Sequence, residues 1–173
     1  DGFPKVMNGF GDIKAKLPAL LEMTRRQVPC LVFTDLDRST CPTAMLRDWL
    51  GCPVDATPSL PAAFLLRIVV REIEAWIMAD REAFARFLEI APANFVQTPE
   101  DLPDPRQVLL NTIRNKGKRP WHKHMLPTRP TARFGPSYNE KLCSFVRESW
   151  DPDRAAALAP SLARGIAALL RLP

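Results

Sequence analysis

Histidine is scarce in this chain, cysteine is scattered, and acid is missing from one long stretch. Only two histidines and four cysteines occur in 173 residues, and Cys30, Cys41, Cys52 and Cys143 form no C-x-x-C pair. That pattern argues against a zinc centre and supplies no disulfide framework, so the expectation is free thiols in a reducing cytoplasm. No apolar run reaches the roughly 18–20 residues that a helix needs to cross a bilayer. The longest, around Ala62–Val70, is broken by Arg67, so no membrane partner is expected. The opening Asp-Gly-Phe-Pro lacks the basic-then-apolar order of a secretory signal and lacks an initiator Met, which leaves a processed or truncated start as one expectation. Between Asp104 and Glu140 there is no acidic residue, while Arg106, Arg114, Lys116, Lys118, Arg119, Lys123, Arg129 and Arg133 fall inside. On a net charge of +5, this local excess is a candidate surface for a phosphate backbone or an acidic partner.

What is present reads as one folded domain. A chain of 173 residues buries one good core and is short for two ordinary domains, and 46% hydrophobic with 25% charged residues is globular composition. Phe3–Met7 reads as a short strand. Residues 12–27 read as an amphipathic helix despite Pro18, because Ile13, Leu17, Leu20, Leu21 and Val28 recur at helical spacing. Cys30–Thr34 is a compact β-rich run, expected to be a strand buried on both faces. Pro42–Leu50 reads as a helix with Pro at its first position, Phe64–Val70 as a second buried strand, and residues 72–89 as the helix after it. Strands alternating with helices predict an α/β fold, a small parallel sheet with flanking helices, over residues 1–90. Residues 91–173 read as a mostly helical extension: a loop at Pro92–Pro105, a helix at Arg106–Asn115, a basic loop over 114–136, and helices at 139–149 and 153–171. The last is interrupted at Pro160–Ser161, where Ser161 can cap a fresh turn. No internal repeat is present.

Ligands of open parallel sheets bind beyond the carboxyl ends of the strands. Asp35 and Asp37 lie just past one expected strand, and Glu72 and Glu74 just past the next. If the strands are neighbours, four carboxylates face one crevice. Crowded like charges call for a cation between them, and oxygen ligands suit Mg²⁺ or Mn²⁺. The plainer alternatives are a polar strand end with helix caps for the first pair, and favourable charge in a first helical turn for the second. Asp80 falls in the middle of the apolar stripe Ile73, Trp76, Ile77, Phe84, Phe87 and Leu88, where a lone carboxylate is costly. Either the helix breaks there and Asp80 caps a second one, or Asp80 is buried against a partner such as Arg67 or Arg71.

Four ordered segments carry a family resemblance: Phe33-Thr-Asp-Leu-Asp-Arg38, Arg71-Glu-Ile-Glu-Ala-Trp-Ile-Met-Ala-Asp80, Gly135-Pro-Ser-Tyr-Asn139 and Pro160-Ser-Leu-Ala-Arg164. Together they resemble a bacterial family of unknown function with a TOPRIM-like fold, whose relatives are associated with mobile elements and anti-phage defence. The resemblance implies that Asp35 and Asp37 hold a Mg²⁺ that positions a phosphodiester for cleavage, with Glu74 as the expected further metal ligand. It also gives weight to Arg38, Arg71, Asp80, Tyr138 and Asn139 as secondary candidates. The sequence departs from the TOPRIM pattern in one respect: no preceding strand carries the expected Glu. Phe3–Met7 looks like the second strand of such a domain, so either the natural beginning has been lost or Glu72 or Glu74 substitutes.

In the basic segment, Lys116, Lys118, Arg119, Trp121 and Lys123 interleave cations with an aromatic, the composition that grips a nucleic-acid backbone and stacks on a base. A solvated loop explains the same residues. His122 and His124 could act as general acid or base, or be exposed loop histidines. Three functions therefore compete. One is metal-dependent phosphodiester cleavage with Glu72 or Glu74 as base. The second is a non-catalytic module that binds nucleic acid or a partner ATPase. The third is a phosphatase of haloacid-dehalogenase type, because Asp35-Leu-Asp-Arg-Ser39 approaches D-x-D-x-T. That third reading requires a further Asp pair, for which only Asp101, Asp104, Asp151 and Asp153 are on offer.

Overall fold

A computed structural model of the chain describes residues 10–172 apart from positions 38, 40, 54 and 56–58. The expected strand at Phe3–Met7 and the candidate Arg38 lie outside the described residues. The chain divides into two compact units, Asp1–Val69 with Gly165–Pro173, and Val70–Arg164. Among the described residues no helix is long and apolar enough to cross a membrane.

The first unit is α/β. Helix α1 spans Phe10–Arg25 and accommodates Pro18 internally, burying Ile13, Leu17 and Thr24. Strand β1 (Cys30–Asp35) runs parallel to β2 (Phe64–Val69), with Cys30 opposite Phe64 and Asp35 opposite Val69. Between them α2 (Pro42–Leu50) starts on a Pro and is capped by the Cys41 side chain, whose Sγ accepts the Ala44 amide at 3.3 Å. It ends at Gly51, whose φ of 62° places it in the left-handed region that favours glycine. Lys14 and Asp48 tie α1 to α2 at 2.7 Å. The reading of β1 as buried on both faces does not hold. Cys30 meets the Leu20 carbonyl of α1 at 3.8 Å, so α1 covers the face of Cys30, Val32 and Thr34. Leu31 and Phe33, pointing to the other face, are 45% and 44% exposed.

The second unit is helical among its described residues. The stretch after β2 forms two helices, α3 (Ile73–Ala79) and α4 (Arg81–Leu88), which meet at Asp80. The expected loop at Pro92–Pro105 holds 3₁₀ turns at Pro92–Asn94 and Pro99–Asp101. Then come α5 (Pro105–Lys116), the single turn α6 (His122–Met125) inside the segment that had no sequence periodicity, and α7 (Tyr138–Glu148). Helices α8 (Pro152–Ala156) and α9 (Pro160–Leu169) replace the one interrupted helix expected at the end. Phe84, Leu88, Leu109, Leu110, Ile113, Met125, Tyr138 and Phe145 make the core of this unit. Phe84 and Phe145 meet at 4.9 Å between ring centroids, within the range of favourable aromatic pairs.

Candidate functional site

The strand-tip aspartates stand where the sequence places them. Asp35 is the last residue of β1, and the next amide, Leu36, donates to the Val69 carbonyl at 2.9 Å, which extends the parallel ladder past the strand end. Asp37 follows with φ of 49° in the turn, a conformation that Asp tolerates better than most side chains. Asp35 is half-buried and Asp37 exposed.

The other two carboxylates belong to the second unit and are occupied. Glu74, 2% exposed, accepts from Arg106 Nε at 2.7 Å and from the Tyr138 hydroxyl at 3.0 Å on one oxygen, and from Arg106 Nη2 at 3.4 Å on the other. Glu72 pairs with Arg106 Nη1 at 3.0 Å through one oxygen and accepts the Arg106 amide at 3.0 Å through the other. One guanidinium, one amide and one phenol therefore fill all four carboxylate oxygens. Burial pushes the Glu72 carboxyl above its ordinary range, against the opposing pull of the Arg106 amide and guanidinium. Burial, then the Glu74 charge, pushes the Tyr138 phenol up as well. Burial alone would pull Arg106 down, but the hydrogen bond and charge of Glu74, aided by Glu72, outweigh it and hold the guanidinium charged.

Arg106 thus supplies, at Glu72 and Glu74, the positive charge that a metal ion was expected to supply. Each oxygen of Glu72 and Glu74 already accepts a hydrogen bond from Arg106 or Tyr138. Among the described residues no group of three or more His, Cys, Asp or Glu side chains is arranged to hold a metal ion.

The remaining candidates sort by contact. Asp80 marks a helix break, as one reading required, but its side chain makes no cap bond. It is instead buried and held by Arg154, with Nε at 2.9 Å and Nη2 at 2.8 Å, and by the Asp151 amide at 2.9 Å. The partner is neither Arg67 nor Arg71. Ser161 is not the cap of α9 on its own: the Glu100 carboxylate accepts its amide at 3.0 Å and its hydroxyl at 2.6 Å, while Trp76 Nε1 donates to that hydroxyl at 2.8 Å. His122 is buried rather than exposed. Its Nε2 lies 2.9 Å from the Leu88 carbonyl and its Nδ1 accepts the Arg119 amide at 3.1 Å, which sets the neutral tautomer. Burial holds its pKa below the ordinary imidazole value. His124 is exposed.

In the basic segment, Arg114, Lys116, Lys118, Arg119, Lys123, Arg129 and Arg133 are all exposed. Among the described residues only Arg119 of these has a carboxylate partner, Glu89. Trp121 is half-buried against Phe87 and His122, with the Lys141 ammonium 5.6 Å above its ring. Asn139 is exposed on the first turn of α7, next to the buried Tyr138. Asp104 and Asp151 are helix caps, accepting the Gln107 amide at 2.8 Å and the Asp153 and Arg154 amides at 2.9 and 3.0 Å. Their role as caps gives the phosphatase reading no support.

Sequence reasoning missed Arg106, Arg154 and Glu100 as the partners that settle these carboxylates. Their nearest signal was indirect: a buried carboxylate at Asp80 demanded some cation. Comparison with protein-family models, with curated proteins and with solved structures finds no match.

Proposed function

We propose that the chain is a TOPRIM-like module that binds the phosphate backbone of nucleic acid without cleaving it. The observation that carries the reading is the exposed cationic stretch, free of acid in the sequence, in which, among the described residues, only Arg119 of the exposed cations has a carboxylate partner. Unneutralised surface cations gain from a polyanion by releasing its counterions. Aspartates at the tip of a parallel strand support the TOPRIM-like assignment. The occupied oxygens of Glu72 and Glu74 favour binding over metal-dependent cleavage, the second reading.

Fluorescence anisotropy with labelled single- and double-stranded oligonucleotides at low salt tests it. The Lys116→Ala/Lys118→Ala/Lys123→Ala variant is expected to bind at least about tenfold more weakly, with an unchanged melting temperature. Asp35→Ala/Asp37→Ala is expected to bind as the parent does. Absence of binding by the parent overturns the proposal. Cleavage in Mg²⁺ or Mn²⁺ that disappears in Asp35→Ala replaces it with the nuclease reading.

A further inference from the structure

We infer that a cleft between α5 and the loop before α7 binds the phosphate monoester of a nucleotide, free or at the end of a strand. The inference rests on the nucleic-acid reading for the nature of its ligand and goes further by naming where one phosphate is held. The cleft has a volume of ≈ 470 Å³ and lies wholly within the second unit, walled by Arg106, Gln107 and Leu110 on one side and by Thr128, Arg129 and Arg133 on the other. That volume falls within the usual size of small-molecule sites, roughly 300–1,000 Å³.

Charge and construction distinguish this cleft from an ordinary basic loop. Arg106 is committed to Glu72 and Glu74, which fixes one wall, while among the described residues neither Arg129 nor Arg133 has a carboxylate partner. Asp104, the one acid at the rim, is occupied by the Gln107 amide, and the Arg106 amide is occupied by Glu72. The start of α5 therefore contributes no open anion site of its own, and the ligand is held by the two loop guanidinia. These offer fork-like donors suited to phosphate oxygens, with the Thr128 hydroxyl beside them.

The loop is pinned at both ends. The Gly135 amide donates to the Met125 carbonyl at 2.9 Å and the Ser137 amide to the His124 carbonyl at 3.0 Å. A Cβ on Gly135 would come within 2.3 Å of the His124 carbonyl oxygen, so only glycine lets the two strands of the loop approach. Phe134 then stacks on Tyr138 at 5.1 Å, and Tyr138 is bonded to Glu74. The two guanidinia are thus carried by a closed loop anchored to the Glu74–Arg106 cluster. Among the described residues no aromatic side chain lines the cleft, so the phosphate and sugar are recognised and the base is not.

Isothermal titration of the full chain with adenosine 5′-monophosphate, cytidine 5′-monophosphate, ribose 5-phosphate and adenosine tests this. The three phosphorylated ligands are expected to bind within a few-fold of one another, and adenosine not to bind. Arg129→Ala/Arg133→Ala is expected to weaken the monophosphates at least about tenfold. The control Arg86→Ala/Arg147→Ala, which removes equal charge elsewhere, is expected not to. Both variants should melt with the parent, since all four side chains are exposed. A 5′-phosphorylated oligonucleotide that binds better than its 5′-hydroxyl twin only when Arg129 and Arg133 are present assigns the site to strand ends; equal binding assigns it to free nucleotides. Monophosphates that fail to bind, or that bind Arg129→Ala/Arg133→Ala as well as the parent, overturn the inference. Oligonucleotide binding that survives such a result leaves the nucleic-acid reading standing, and monophosphate binding without oligonucleotide binding removes that reading while keeping the cleft.

Discussion

Glu74 is a carboxylate whose value to the protein is set by what it holds rather than by what it exposes. Removing one partner of a buried ion pair leaves an uncompensated charge, which costs about 3–5 kcal/mol. Glu74→Gln is therefore expected to lower unfolding stability in urea by about that amount, whereas Glu140→Gln, exposed on the first turn of α7, should stay within about 0.5 kcal/mol. His122 gives the second test at this scale. Its folded pKa lies below the free value of 6.5, so the unfolded chain binds more protons as pH falls. The stability held by the neutral ring is present above pH 6.5 and is lost as pH drops from there through the depressed folded value. The urea midpoint should fall between pH 7.5 and pH 5.5 in the parent and fall less in His122→Gln. An equal drop in both would show that the ring is not the titrating group.

At the scale of elements, the joints of the second unit are made by charged side chains reaching across long sequence distances. Asp80 lies at the junction of α3 and α4 and is fixed by Arg154 from the first turn region of α8. The pair is asymmetric: the Asp80 side chain is 2% exposed and that of Arg154 52%. Arg154→Ala leaves a carboxylate stranded in the interior and is expected to cost about 2–3 kcal/mol by chemical denaturation. The exposed Arg147→Ala should cost within about 0.5 kcal/mol. Glu100, in the 3₁₀ turn Pro99–Asp101, plays a comparable part by accepting from Ser161, whose hydroxyl in turn accepts from Trp76. The loop between α6 and α7 depends instead on Gly135, where any side chain collides with backbone.

For the molecule as a whole, the distribution of charge matters more than its sum. A net charge of +5 is modest, yet the exposed cations of the basic segment are concentrated and, among the described residues, all but Arg119 lack a carboxylate partner. If about five of them meet backbone phosphates, the logarithm of single-strand affinity should fall against the logarithm of salt with a slope of about −3.5. A slope near zero would separate binding from this surface. Division into two compact units also bears on the acidic residues: Asp35 and Asp37 belong to one, Glu72 and Glu74 to the other.

Local chemistry alone determined much of this protein. The apolar β-rich runs specified both described strands, Pro42 marked a helix start, and an acid inside an apolar stripe flagged Asp80 as either a helix break or a buried ion-pair partner. These features depend on residues a few positions apart, where period and backbone preference suffice. Tertiary structure decided the partners. Glu74 meets Arg106 and Tyr138 at separations of 32 and 64 residues, and Asp80 meets Arg154 at 74. No local rule chooses among many cations at such distances, because the pairing energy depends on burial and geometry that exist only after the chain has packed. Glu72 and Glu74, candidates for a site when read along the chain, are in three dimensions the anchors of an arginine.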